Sequence, residues 1–243
     1  MKTGFEPLGV LKAFGPNIWI VDGPHVRFYG LPFSTRMTVI RLADGGVWLH
    51  SPVRFSPGLL AEIEELGPVR HLVAPNNIHY AALPDWQAAC PEAVTWAAPG
   101  VDRRAARHGV TLRIDRVLTN AAGPDWSGRI AFRLVTGSPL LSEVVFFHHA
   151  SRTLILTDLI ENFEPRHLPW YMAWAVRLTG IRTPDGRTPP DMAASFRKSR
   201  IDVRGHVDWM LRQAPERVIL SHGRCYDADA VPRLKRAFRG LVK

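Results

Sequence analysis

Three side chains stand just past short apolar runs. His79 follows His71–Ala74 in Ala-Pro-Asn-Asn-Ile-His-Tyr, Asp158 follows Leu154–Leu156 in Thr-Asp, and His222 follows Val218–Leu220 in Ser-His-Gly-Arg. Imidazole nitrogen and carboxylate oxygen suit Zn²⁺, Mn²⁺ or Fe²⁺, and both groups also move protons. Loops at strand ends on a rigid scaffold are where such groups gather. A single Asp or His ending a strand is more often a turn former or a cap, so only the set carries weight. His25, His71, His108, His167 and His206 sit in polar or mixed surroundings. His148 and His149 are neighbours on an apolar run. Strand neighbours point to opposite faces, so the pair cannot hold one ion without a bend, and a strand ending at the surface is the expectation. Cys90 and Cys225 read as buried or idle thiols, although Cys225 follows His222 closely.

The elements that must position these groups are short. Ile18–Val21, Met37–Leu42 and Val47–His50 read as strands, with Asp44-Gly45-Gly46 as a hairpin turn. Ser56 caps an amphipathic helix through Leu59, Leu60, Ile63 and Leu66 that Gly67 stops. His71–Ala74 and Val94–Ala97 are strand-like, and Pro84–Cys90 and Val101–His108 are short helices. Thr111–Leu118, Arg129–Val135, Val144–His148, Thr153–Leu156 and Arg217–Leu220 are further strands. Met192, Phe196, Val203, Val207 and Met210 predict one helix over Asp191–Gln213, and Asp229–Val242 predicts a basic C-terminal helix. The order suggests two mixed sheets packed together with helices outside, in one domain over 1–243. Leu168–Ile181 fits least well. It carries Trp170, Tyr171 and Trp174 between Arg166, Arg177 and Arg182, and reads with the Pro-rich loop after it as an insert near 160–190.

The chain has 243 residues, 46% hydrophobic and 22% charged, which is a globular composition. Two unpaired cysteines exclude a disulfide scaffold or a Cys-rich zinc module. No apolar run is long enough to span a bilayer, and the first residues do not read as a signal peptide. A cytoplasmic protein is expected. The net charge is +9, almost all of it arginine, since lysine occurs only at Lys2, Lys12, Lys198, Lys235 and Lys243. Nucleic acid is the first partner such a charge suggests. However, Arg197, Lys198, Arg200 and Arg204, and Arg233, Lys235, Arg236 and Arg239, lie opposite apolar stripes with no nucleic-acid-binding motif beside them, so nucleic acid is not expected.

Leu49-His50-Ser51-Pro52, Ala74-Pro75-Asn76-Asn77-Ile78-His79 and Ser151-Arg152-Thr153-Leu154-Ile155-Leu156-Thr157-Asp158 together resemble the metallo-β-lactamase-like superfamily. More narrowly, they are similar to a divergent branch of it known as a domain of unknown function. The resemblance covers the chain roughly from Ile18 onward and implies an αββα sandwich with a metal site at one edge. The superfamily's His-x-His-x-Asp-His signature falls on Pro75 to Tyr80, with Pro75 and Asn77 in place of the leading histidines. His79 stands at the aspartate position, or at the last histidine if the register slides by one. A further ligand histidine is matched by Ser138. The bridging aspartate is matched by Asp158, the final histidine by His222, and the aspartate ending the early strand by His50.

The resemblance therefore implies a degenerate, at most mononuclear centre with His79, Asp158 and His222 as ligands. Asp158 and His79 are the expected catalytic groups, and His50, Asn77 and Glu143 are expected around them as supporting or additional ligands. One divalent ion is expected, zinc ahead of iron or manganese, with a metal-free relic as the alternative. The expected activity is hydrolysis of an ester, lactone or phosphoester in a small molecule, for which the basic charge raises an anionic one. A non-catalytic binding module on the same fold is the rival. For Leu168–Ile181, a lid or dimer contact is favoured over peripheral contact with an anionic membrane.

Overall fold

The computed structural model describes residues 5–28, 30–120, 126 and 128–242. One sheet runs in chain order: β1 (Lys12–Gly15), β2 (Ile18–Phe28), β3 (Leu31–Arg41), β4 (Val47–His50), β5 (Val69–Ala74), β6 (Val94–Ala97) and β7 (Arg116–Val117). The first four strands are antiparallel. From β4 onward the strands are parallel and connected through α1 (Pro57–Glu64), α2 (Leu83–Ala89) and α3 (Val101–Arg107). The second sheet holds β8 (Ile130–Val135), β9 (Glu143–His148), β10 (Thr153–Ile155) and β11 (Arg217–Ile219), in the order β11-β10-β9-β8. The parallel crossover from β10 to β11 contains α4 (Trp170–Thr179), α5 (Pro190–Ser195) and α6 (Arg200–Arg212). α7 (Ala230–Ala237) and α8 (Arg239–Val242) follow β11.

Side-chain alternation explains why the sheets stack. On β9, Val144 and Phe146 join the cluster of Trp48, Leu72 and Ile18, whereas Val145 and Phe147 join a second cluster with Val207, Met210 and Leu234. Ile155 and Ile219 take the first face, and Leu154, Leu156, Val218 and Leu220 the second. Both faces of the second sheet are therefore apolar, one for the other sheet and one for α5, α6 and α7. This is the αββα sandwich implied by the sequence.

The structure differs from the sequence reading at several elements. β2 and β3 run through Pro24 and Pro32, and a register shift between Gly23 and Val26 absorbs Pro24. Only Arg116–Val117 of Thr111–Leu118 pairs, because just two residues of β6 face it. The helix expected over Asp191–Gln213 breaks into α5, a 3-10 turn at Phe196–Ser199, and α6. Ser199 is non-helical (φ −124°, ψ 32°), and Ser195 is bound by Ser138 and Met192. The break falls between the buried Phe196 and Val203, where no buried residue marks the phase and the one apolar side chain, Ile201, is exposed. Asp229–Val242 breaks likewise at Phe238.

A buried ion pair ties the sheets at one end. Arg36 of β3 and Asp22 of β2 are 2% and 1% exposed, with guanidinium and carboxylate 2.7 Å apart. Arg36 Nη1 also donates to the carbonyls of Leu220 and Gly223, just beyond β11 in the other sheet. Removing Arg36 leaves the buried Asp22 carboxylate with Lys12, 2.8 Å away, as its remaining charged partner and frees the carbonyls of Leu220 and Gly223. Arg36→Met is therefore expected to destabilise the fold by about 3 kcal/mol in urea unfolding. Asp22→Leu/Arg36→Met is expected to lose less. A double variant as unstable as the single would place the cost on the lost carbonyl contacts instead.

Candidate metal centre

The three strand-end residues meet. β4, β5, β10 and β11 all end at the same edge, and the loops after the last three carry His79, Asp158 and His222. Their ligand atoms lie within 4.8 Å of one another. His222 Nε2 is 3.0 Å from Asp158 Oδ1, and His79 Nε2 is 3.2 Å from Asp158 Oδ2.

Each group is held from behind. His222 Nδ1 lies 2.9 Å from the Ser34 carbonyl, so it must be the N–H that donates. That leaves Nε2 of the neutral ring as an acceptor facing another acceptor, Asp158. Two acceptors at 3.0 Å need a positive charge between them, either a proton or a metal ion. A ring nitrogen donating to a backbone carbonyl is also how metal-binding histidines are oriented. His79 Nδ1 is 2.7 Å from Ser51 Oγ, and the ring turns its other nitrogen on the same carboxylate. The donor set fits one divalent ion.

Asp158 is fixed from two sides. Asn76 Nδ2 donates to its Oδ2 at 2.6 Å and to Thr157 Oγ1 at 2.9 Å, while Asn76 Oδ1 accepts from the backbone N–H groups of Ile78 and His79. One amide thus sets both ligand loops. Glu143 at the start of β9 accepts from the N–H groups of Thr157, Asp158 and Leu159. A bridge from Asn76 to Glu143, with Val144 N donating to the Pro75 carbonyl, joins the two sheets here. Burial alone would raise the Asp158 carboxyl, but the imidazoles, His79 foremost, override it and hold it below the usual carboxylate range. Burial, reinforced by the Asp158 charge, pushes Glu143 up to about 7. At His222 the chain needs the glycine after it. Gly223 has φ +87°, and a Cβ there would lie 2.0 Å from the Asn162 carbonyl oxygen.

The expected supporting residues divide. Glu143 reaches the centre through the backbone of its loop, so it positions Asp158 and is not grouped with the ligands. Asn76, one residue before the expected Asn77, is the amide that reaches Asp158. Asn77 Oδ1 has no partner among the described residues. His50 also lies outside the cluster. It shares a strand face with Trp48 and stacks on it at 5.5 Å, edge-on to Phe146 at 5.3 Å. The next residue, Ser51, is the one that faces His79. Its signal was the strand alternation itself, which sends His50 and its neighbour opposite ways. Ser138 bonds Ser195 and accepts from the N–H of Leu140. His148 is buried against Ser151, and His149 is exposed. Cys225 sits against Arg36 at 3.2 Å, and burial pushes its thiol up.

The family model for a domain of unknown function, DUF4336, matches residues 16–173. The chain belongs to this family. The DUF4336 match takes in His79 and Asp158 and ends before His222. Solved structures share the fold. The metallo-β-lactamase from Pontibacter korlensis is 13% identical over 95% of this chain and 97% of that one, with TM-score 0.66. The metallo-β-lactamase FIM-1 from Pseudomonas aeruginosa, in a mono-zinc form, is 13% identical over 96% of each chain, with TM-score 0.62. Rubredoxin oxygen:oxidoreductase from Desulfovibrio gigas is 14% identical over 96% of this chain and 60% of that one, with TM-score 0.65. No curated protein matches by sequence.

The buried His50 of this DUF4336 chain makes a pH prediction. Both its ring nitrogens lack partners among the described residues, and burial, with the charge of His79 second, lowers its pKa to about 3. An unfolded histidine titrates near 6.5, so this residue costs nothing above that pH and destabilises increasingly as pH falls toward 3. At pH 5 the cost is roughly 2 kcal/mol. His50→Phe is expected to flatten the acid limb of the stability profile by about that amount, measured by urea unfolding between pH 7 and pH 5. A parallel profile would show that His50 takes up its proton alike in the folded and unfolded states.

Proposed function

We propose that the chain is a metal-dependent hydrolase-like protein whose centre holds one divalent ion between His79, Asp158 and His222. The observation that carries this reading is the His222 ring, committed through Nδ1 to the Ser34 carbonyl while Nε2 faces Asp158. Zinc suits two nitrogens and one carboxylate oxygen, ahead of iron or manganese. A bound ion would supply Lewis acidity and lower the pKa of a water at the site.

The chain's own residues do the rest. Ser34 and Ser51 orient the two rings, and Asn76 holds the second carboxylate oxygen. Glu143 fixes the backbone of the Asp158 loop, so the carboxylate does not swing away when a substrate arrives. The rings of Phe33 and Phe163 pack on His222 at 5.2 and 6.3 Å and limit water on that side. His79, 11% exposed at its side chain against 8% for Asp158 and 7% for His222, is the most solvent-open of the three, and with the Asp158 carboxylate beside it forms the proposed catalytic pair. The proposed substrate is a small ester, lactone or phosphoester, and Arg224 just beyond His222 favours an anionic one.

Metal analysis of purified protein tests this. The parent chain is expected to carry close to one ion, His222→Ala to lose it, and Ser51→Ala to bind it about 10–100-fold more weakly. A metal-free parent, or full loading of His222→Ala, overturns the ligand set. Loss of the metal reading would leave a non-catalytic binding module on the same sandwich.

A further inference from the structure

α4 has two unlike faces. Met172, Ala173 and Val176 are buried. Trp170, Trp174 and Leu178, at steps of four and hence on one side of the helix, are 78%, 60% and 83% exposed. Tyr171 adds a half-exposed ring edge-on to Trp170 at 6.0 Å. Two adjacent exposed indoles in line with an exposed leucine form an apolar patch that ordinary surface composition does not call for.

Arginines border this patch. Arg177 continues the exposed side of α4 and lines two open clefts. One, of about 420 Å³, also takes Arg166, Arg182 and Arg224. The other, of about 500 Å³, is completed by Arg182, Arg187, Arg236 and Arg239. The clefts contain two acids. Glu164 is paired with Arg166 and His167, and Asp185 is held by both branches of Arg236. Arg177, Arg187 and Arg239 form no ion pair or side-chain hydrogen bond with any described residue. Positive charge without a counter-charge, beside aromatic rings without cover, defines the partner's chemistry: anionic groups next to an apolar layer.

We propose that this face docks α4 flat on an anionic lipid bilayer. Trp170, Trp174 and Leu178 enter the boundary between headgroups and acyl chains, and the unpaired Arg177, Arg187 and Arg239 take lipid phosphates. Among the described residues no helix is long and apolar enough to cross a membrane, and α4, with 10 residues, can only lie along one. A symmetric dimer through the same patch would set arginines against arginines, which costs several kcal/mol. A free phosphate would leave the rings uncovered. The loop of Asn162, whose backbone bonds both His222 and Arg224, would then hold the candidate centre close to the lipid surface.

Flotation with phosphatidylcholine vesicles, with and without phosphatidylglycerol, tests this on the full chain. Recovery is expected only with phosphatidylglycerol, falling as salt rises. Trp170→Ala/Trp174→Ala is expected to weaken binding about tenfold per ring, and Arg177→Gln/Arg187→Gln about fivefold per charge. Trp170, Trp174 and Arg177 are exposed and Arg187 is half-buried without a partner, so circular dichroism and bound metal should match the parent. Failure here would therefore be separate from failure of the hydrolase reading. No recovery with anionic vesicles at low salt overturns the proposal, as does unchanged binding by the double tryptophan variant. A dimer abolished by that variant, or saturable binding of inorganic phosphate without vesicle recovery, overturns it in favour of self-association or a small anion.

Discussion

Arg36 lies buried between β3 and the loop after β11, its charge met by Asp22 and its other N–H groups by the carbonyls of Leu220 and Gly223. A guanidinium out of water is tolerable only when each donor finds an acceptor at a fixed place. Its presence therefore dictates where the loop holding His222 can run. Ser34, two residues earlier on the same strand, adds its carbonyl to His222 Nδ1 and its hydroxyl to the Ser221 carbonyl. His222 thus takes both its place and its ring orientation from the opposite sheet.

The other half of the centre works by the same rule with the roles exchanged. Asn76 and Glu143 come from different sheets and meet at a backbone bridge, and between them they hold the loops of His79 and Asp158. In so buried a place an ionised carboxylate needs positive charge close by, and a proton or a metal ion held between it and the rings of His79 and His222 would supply it. The candidate ligand set therefore lies on a seam between the sheets.

The arginine excess belongs to a different part of the molecule. Bulk charge pointed to nucleic acid, but seven arginines gather in two clefts beside α4 and the C-terminal helices, next to rings that no part of the described chain covers. Distribution, not the total of +9, gives the charge a meaning. The Trp-rich insert, read from sequence as a lid or dimer contact, is in the fold a helix with one buried face and one exposed apolar face.

His79, Asp158 and His222 could be named in the sequence because a polar group just past a short apolar run marks a strand end, and strand ends are local. The two sheets and the three short helices of the first half were legible for the same reason. Their hydrophobic period and their turn residues sit within a few positions of one another. The choice of Asn76 over Asn77, of Ser51 over His50, and of Ser34 and Arg36 as supports was not legible. Each depends on which face a residue presents after its strand has paired, and on a partner far along the chain. The break in the helix over Asp191–Gln213 hid in a stretch with no buried residue to mark its phase. Sequence alone determined the layers and the three groups able to do chemistry, because side-chain period and turn signals are short-range. Tertiary structure decided which neighbours orient those groups, because hydrogen bonds between distant strands exist only once the two sheets have stacked.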